Sequence, residues 1–241
     1  TIGVAKANLD WLSTLMLAVL AGAFIGLAAC FYTTAVTGSV LGLGLTKVIG
    51  GVCFCLGLVL VVVAGAELFT GNVLIIMAFL SGRVSFPKLL RNWSIVYVGN
   101  LLGSLATVAL VFFAMQWKLG GAAVGVTAVN VAGDKLSLEF GQAVCSGILC
   151  NGLVCLAIWL CYSARSSTDK VLSILFPITA FVALGFEHSV ANMFFIPYGI
   201  ALAKSGAFTA VADAAALKYD PSIYTVSGFV TNNLLPVTLG N

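Results

Sequence analysis

Charge is what this chain has least of. Asp, Glu, Lys and Arg together make up 8% of its 241 residues, whereas 61% are hydrophobic. A soluble domain carries about 25% charged residues, because a surface facing water needs polar cover. A bilayer removes that need. The net charge of +3 is small and no basic run exists, so no nucleic-acid partner is expected. A single histidine cannot build a His-based zinc site, and the seven cysteines contain no CxxC pair. All seven lie inside apolar stretches, where thiols act as small buried hydrophobes. Neither a Gly-x-Ser-x-Gly nor a Gly-x-Gly-Asp motif is present. The expectation is therefore a protein that is not an enzyme, with no catalytic residues, no metal and no cofactor. There is no secretory leader with its cleavage site, and a start at Thr1 predicts native residues upstream.

What is there is long apolar sequence and glycine. A membrane core of about 30 Å needs roughly 20 apolar residues per helix. Trp11 to Val36 supplies a first span without a charge. A second, Val48 to Gly65, stops at a polar patch and resumes as Val73 to Leu80. Trp93 to Met115 is a third and Phe140 to Tyr162 a fourth. The fifth, Val171 to Phe186, is again interrupted and resumes as Val190 to Leu202; Ile223 to Asn241 is the last. Twenty-six glycines suit close helix packing where lipid offers no hydrophobic drive between helices. The loops hold Lys6, Arg83, Lys88, Arg91, Arg165 and Lys170 on one side and Lys47, Lys118, Lys135, Lys204 and Lys218 on the other. All three arginines share the first side, which predicts both termini in the cytoplasm.

The two interrupted spans resemble each other. Gly65-Ala66-Glu67-Leu68-Phe69-Thr70-Gly71-Asn72 aligns with Gly185-Phe186-Glu187-His188-Ser189-Val190-Ala191-Asn192, with Gly, Glu and Asn at the same spacing 120 residues on. Downstream, Asn92 and Asn100 are eight apart, as are Asn233 and Asn241. Three spans separate equivalent positions, so the second copy enters the membrane from the opposite side. The expected fold is an all-α membrane protein of six transmembrane helices, arranged as two inverted three-helix repeats with broken second and fifth helices. A single domain, 1–241, holds repeat one at about 11–116 and repeat two at about 136–241. The first copy runs on from Asn100 to Met115 and the second ends at Asn241, which predicts a sixth span cut at its C-terminal half.

An ionised side chain at mid-membrane costs roughly 2.5–3.5 kcal/mol on insertion scales, and a broken helix exposes unpaired backbone groups. Glu67 and Glu187 are expected to pin the two breaks by accepting backbone N–H bonds, rather than to touch a solute. Asn72 and Asn192 are expected to act there as helix caps. His188 stands opposite Leu68 in the other copy, so scaffold symmetry does not account for it. A pathway role is expected, since a histidine donates a hydrogen bond or exchanges a proton near neutrality. These polar residues in the apolar layer mark the route of a small polar solute.

At these motifs the chain resembles the formate/nitrite transporter family, and within it the bacterial formate channels. The resemblance spans Leu17 to Asn241. It is carried by Gly65 to Thr70, by Cys150-Asn151-Gly152-Leu153-Val154-Cys155-Leu156-Ala157, by Gly185 to Met193, and by Asn232 to Asn241. It implies an aquaporin-like protomer, a homopentamer with one pore per protomer, and a bacterial inner membrane location. It implies a narrow apolar pore with an outer constriction at Phe54 and Phe181, and an inner one at Leu58 and Leu68, next to Phe69. His188 and Thr70 match the polar chamber between them, Lys135 the basic residue reaching in from outside, and Asn151 its polar neighbour. Asn100 and Asn241 close the two Gly-Asn pairs beside the breaks. The implied function is passive or proton-linked passage of a small monovalent anion, formate first, with nitrite or hydrosulfide as alternatives. A neutral-solute channel of the aquaporin kind is the rival. Against it, the positions of paired Asn-Pro-Ala boxes read Thr70-Gly71-Asn72 and Val190-Ala191-Asn192.

Overall fold

A computed structural model describes residues 2–213 and 216–241. Thr1, where the upstream residues were expected to join, lies outside them. Every regular element among the described residues is helical. A short helix α1 (Ile2–Ala7) precedes α2 (Trp11–Val36) and α3 (Gly42–Ala64). After the first break come α4 (Phe69–Asn72) and α5 (Ile75–Leu80), then α6 (Phe86–Phe113). The second half holds α7 (Ala123–Leu136), α8 (Phe140–Ser163), α9 (Ser167–Ala183) and, past the second break, α10 (Ser189–Ala203). Among the described residues four helices, α2, α3, α6 and α8, are long and apolar enough to cross a membrane.

The outward face of α2 carries Leu12, Met16, Leu20, Leu27 and Phe31, all exposed, and its inward face Ala18, Ala21, Ile25, Ala28 and Ala29, all buried. A helix apolar all round is one that water does not bathe. Its inward residues are small, which lets α6 and α3 lie close against it. Contact with α6 is backbone to backbone: a Cβ placed on Gly103 would fall inside the Val19 carbonyl, and one on Gly22 inside the Asn100 carbonyl. Neither obstacle is a flexible side chain. Gly103→Ala is therefore expected to destabilise the fold by about 1–3 kcal/mol, read as earlier unfolding in detergent, while Gly152→Ala, which meets nothing, leaves the melting curve in place.

The breaks fall where the sequence places them, and they share one backbone. α3 ends on Gly65 and α9 runs out at Gly185, both in the left-handed region at φ 73°, where any other residue is strained. The next N–H turns back to the helix, from Ala66 to the Val61 carbonyl at 2.9 Å and from Phe186 to the Phe181 carbonyl at 3.0 Å. That closure satisfies the last carbonyls of each helix. Leu68 and His188 are then extended, and a new helix starts on the following residue.

Three elements depart from expectation. The stretch from Ile223 to Asn241 is not one apolar helix: it divides into α11 (Val226–Gly228), a π-helical turn (Phe229–Leu234) and α12 (Leu235–Gly240). The wide turn carries Asn233, buried, and such turns often sit at functional sites. α1 and α7 were not foreseen. Each is too short to register as a span, and each carries a lysine in its last turn, Lys6 and Lys135.

Candidate functional site

The two breaks are held by the same set of side chains. At the first, Glu67 Oε1 accepts the Lys6 ammonium at 2.6 Å and Oε2 accepts Asn72 Nδ2 at 2.5 Å. Asn72 Nδ2 also donates to Asn92 Oδ1 at 2.9 Å, and Asn92 Nδ2 donates back to the Lys6 carbonyl. At the second, Glu187 Oε1 accepts Lys135 at 2.7 Å and Oε2 accepts Asn192 Nδ2 at 2.7 Å. Asn192 Nδ2 reaches Asn233 Oδ1 at 2.6 Å, and Asn233 Nδ2 donates both to the Lys135 carbonyl and to Glu187 Oε2. Each is a closed loop of lysine, glutamate and two asparagines, with a charge-assisted bond at its centre.

Asn100 and Asn241 do a different job. Asn100 Oδ1 accepts the first N–H of α4, from Phe69 at 2.9 Å, and its Nδ2 donates to the Glu67 and Ala18 carbonyls. Asn241 Oδ1 accepts the Ser189 N–H at 2.8 Å, and its Nδ2 donates to the Glu187 and Gly147 carbonyls. One amide thus satisfies a donor and an acceptor that the break leaves without helical partners, which an apolar layer requires, and ties them to a carbonyl of a neighbouring helix, Ala18 in α2 or Gly147 in α8.

Two expectations are corrected by these bonds. The glutamate carboxylates do not accept backbone N–H groups; they take a lysine and an asparagine, and a buried carboxylate is better balanced by a full positive charge than by an amide dipole. Asn72 and Asn192 do not cap the half-helices, because their amides are turned onto the glutamates. The first N–H groups are met instead by Asn100 and Asn241, far along the chain, and at α10 also by the His188 side chain. The residues missed were Lys6, Asn92 and Asn233. Lys6 precedes Glu67 by 61 residues and Lys135 precedes Glu187 by 52, so the equivalence of the two lysines is hidden by unequal intervening lengths. The paired asparagines were visible as a spacing, without a partner to give them meaning.

Between the breaks lies His188. Its Nδ1 accepts the Ala191 N–H at 3.0 Å, which makes it the N-cap of α10. The neutral ring therefore carries its proton on Nε2, which lies 2.9 Å from the Thr70 hydroxyl. A second proton requires the Ala191 bond to break. Phe181 stacks beside the imidazole at 5.8 Å and meets Phe54 edge to face at 5.7 Å. Phe54 and Phe195 lie nearly parallel at 6.4 Å. These rings and the histidine line a cavity of about 220 Å³ that also holds Lys135, Asp134, Lys47 and Tyr32. A second cavity, of about 200 Å³, is lined by Leu68, Ala66, Gly71, Asn72, Lys6 and Lys170. Thr70 lies between lining residues of the two: it precedes Gly71 of one and contacts His188 of the other at 2.9 Å.

The remaining expected residues fall into three places. Leu58 and Leu68 are buried in the core, and Leu68 also lines the second cavity. Asn151, also buried, donates to the Asn241 carbonyl at 2.6 Å and to Cys155, whose thiol reaches the Thr70 carbonyl; its own Oδ1 has no partner among the described residues. It is thus a neighbour of Thr70, and its bonds do not run to Lys135. Phe69 turns away from the cavities, edge-on to Tyr97 at 5.0 Å and to Trp93 at 6.5 Å. It starts α4, where the first side chain points outward into the packing with α6.

Apolar spanning helices, breaks satisfied inside the protein, and a cavity beside each break define a multi-pass membrane protein. The chain belongs to the formate/nitrite transporter family, whose model matches residues 1–241 under the description "Formate/nitrite transporter". It is 46% identical over 243 residues to the formate channel FocA of Escherichia coli strain K12, covering 99% of this chain and 84% of that one. To the FocA formate channel of Haemophilus influenzae it is 42% identical over 240 residues. Among solved structures it resembles a pentameric formate channel with formate bound, at TM-score 0.87 and 42% identity over 95% of this chain and 91% of the other. An FNT family ion channel matches at TM-score 0.81 and 29% identity, over 99% and 88% of the two chains.

Proposed function

We propose that this protein carries a small monovalent anion, formate first, through one pore per protomer of a homopentamer in the bacterial inner membrane, with both termini cytoplasmic. The protomer is one domain of six spans in two inverted repeats, about 11–116 and 136–241, aquaporin-like in outline. In this arrangement the Lys135 cavity is the outer vestibule and the Lys6 cavity the inner one. The matching lysine–glutamate–asparagine loops at the two breaks support the inversion, because equivalent bonds on opposite sides of His188 are what a two-fold axis in the membrane plane gives.

The observation that carries the function is the 2.9 Å contact of His188 with Thr70, both buried, which ties the wall of one cavity to the residue next to Gly71 in the wall of the other. A carboxylate entering from either side leaves water at a constriction of phenylalanines on one face or leucines on the other. Without a donor, an unpaired charge there is prohibitively costly. The Nε2–H of His188 supplies that donor, and the Thr70 hydroxyl, freed from His188, supplies a second at the same level. Lys135 sits one layer out, its ammonium between Glu187 and the Phe195 ring at 5.4 Å. Paired in this way it acts at contact. Glu187 lines the outer cavity, but its oxygens, like those of Glu67, are taken up by lysine and asparagine donors, which blunts their repulsion of an anion.

Purified protein in liposomes is expected to give rapid, saturable formate flux, measured by stopped flow, with nitrite, hydrosulfide and lactate as comparisons. Glycerol permeation without formate flux would assign the pore to neutral solutes and overturn the proposal.

A further inference from the structure

Each cavity holds two lysines, and in each the fold neutralises one of them. In the cavity beside His188, Lys135 lies 2.7 Å from Glu187 Oε1. Asp134 lines the same space and is matched by Lys218 at 3.7 Å, with the Tyr219 hydroxyl donating to it at 2.7 Å. That leaves Lys47, near the start of α3, half-buried and lining the wall. Among the described residues it forms no ion pair. It also lines an adjoining cavity of about 420 Å³ with Tyr32, Ser39 and Thr46, so it stands where the passage widens towards bulk water.

The opposite cavity repeats the pattern. Lys6 lies 2.6 Å from Glu67 Oε1. Lys170, at the start of α9, lines the wall half-buried and likewise forms no ion pair. Its neighbour Asp169 turns away, its carboxylate accepting the Arg165 and Ser166 N–H groups. α3 and α9 are the helices that lead into the two breaks, so the uncompensated charge arrives on equivalent elements from opposite sides.

An ion pair presents a dipole whose field falls off faster than that of a single charge, while an unpaired ammonium in a walled cavity acts at range. We propose that Lys47 and Lys170 are the anion-capture residues of the two mouths, and that Lys135 and Lys6 are committed to holding the breaks. The assignment rests on formate passing through these cavities.

The test is formate current through purified protein in a planar bilayer, with formate on one face at a time. In about 10 mM supporting salt, Lys47→Gln raises the half-saturating formate concentration roughly three-fold for entry from its own face, the size that one charge about 6 Å away gives in water. The maximal current stays unchanged. Lys170→Gln does the same for entry from the other face, and Lys47→Arg and Lys170→Arg behave as the parent. In about 1 M salt, where the screening length is about 3 Å, the differences vanish. Unchanged half-saturation at low salt, or a loss that persists at high salt, overturns the assignment while leaving formate transport intact. A parent that carries no formate overturns both together.

Discussion

His188→Ala lowers the formate flux of the purified protein about 10- to 100-fold, the cost of removing one hydrogen bond to a charged group from an apolar site. The side chain has two jobs, and two variants separate them. Through Nδ1 it caps α10 by accepting the Ala191 N–H, and through Nε2 it faces Thr70. Alanine removes both, so some loss of thermal stability accompanies the loss of flux, about 0.5–2 kcal/mol for an N-cap. Asparagine is itself a favoured N-cap and keeps the first job, but its shorter side chain falls short of the level of the Thr70 hydroxyl. His188→Asn is expected to melt like the parent and to carry formate slowly. Flux and its pH profile measured together decide the role: a His188→Ala protein that retains both the rate and the pH dependence means that the anion passes without help from the imidazole.

The second large effect is on folding. Glu187→Ala leaves the Lys135 ammonium, whose side chain is 15% exposed, without a counter-charge, and strips a hydrogen-bond acceptor from Asn192 and from Asn233. Breaking a buried pair in this way costs about 3–5 kcal/mol, enough to remove most of the stability of an ordinary domain. Glu67→Ala is expected to cost less. Its partner Lys6 is 28% exposed and can turn to water, and its second oxygen serves one asparagine instead of two. Denaturant unfolding in detergent ranks the two. Lys135→Met combined with Glu187→Leu is expected to recover part of the loss, since an apolar pair of similar volume needs no desolvation. Equal melting of Glu187→Ala and Glu67→Ala would show that exposure of the lysine does not set the cost.

Much of the architecture was legible in the residues. Trp11 to Val36 is bounded by polar residues and free of charge, and it is a helix over that same range. The Gly-x-Glu interruptions stood out because a glutamate in an apolar run has to be balanced by something. The same logic located His188, and the family resemblance located Thr70; the two meet at 2.9 Å although 118 residues apart. The partners of the glutamates were not legible. A carboxylate accepts from a backbone N–H, an amide or an ammonium, and nothing local to Glu67 or Glu187 distinguishes them. Nor does periodicity reveal α1, which is six residues long, yet it delivers Lys6 to the first break.

The apolar spans, their two interruptions and the identity of the polar residues between them were determined by sequence alone. The reason is that the cost of charge in a hydrocarbon layer is paid residue by residue, and so leaves its mark along the chain. Which lysine answers which glutamate, which asparagine caps which half-helix, and which lysines are left unpaired were decided by tertiary structure. Those choices depend on contacts between helices tens of residues apart. The break at Glu187, for example, is closed by Lys135 from 52 residues before it and by Asn241 from 54 residues after it.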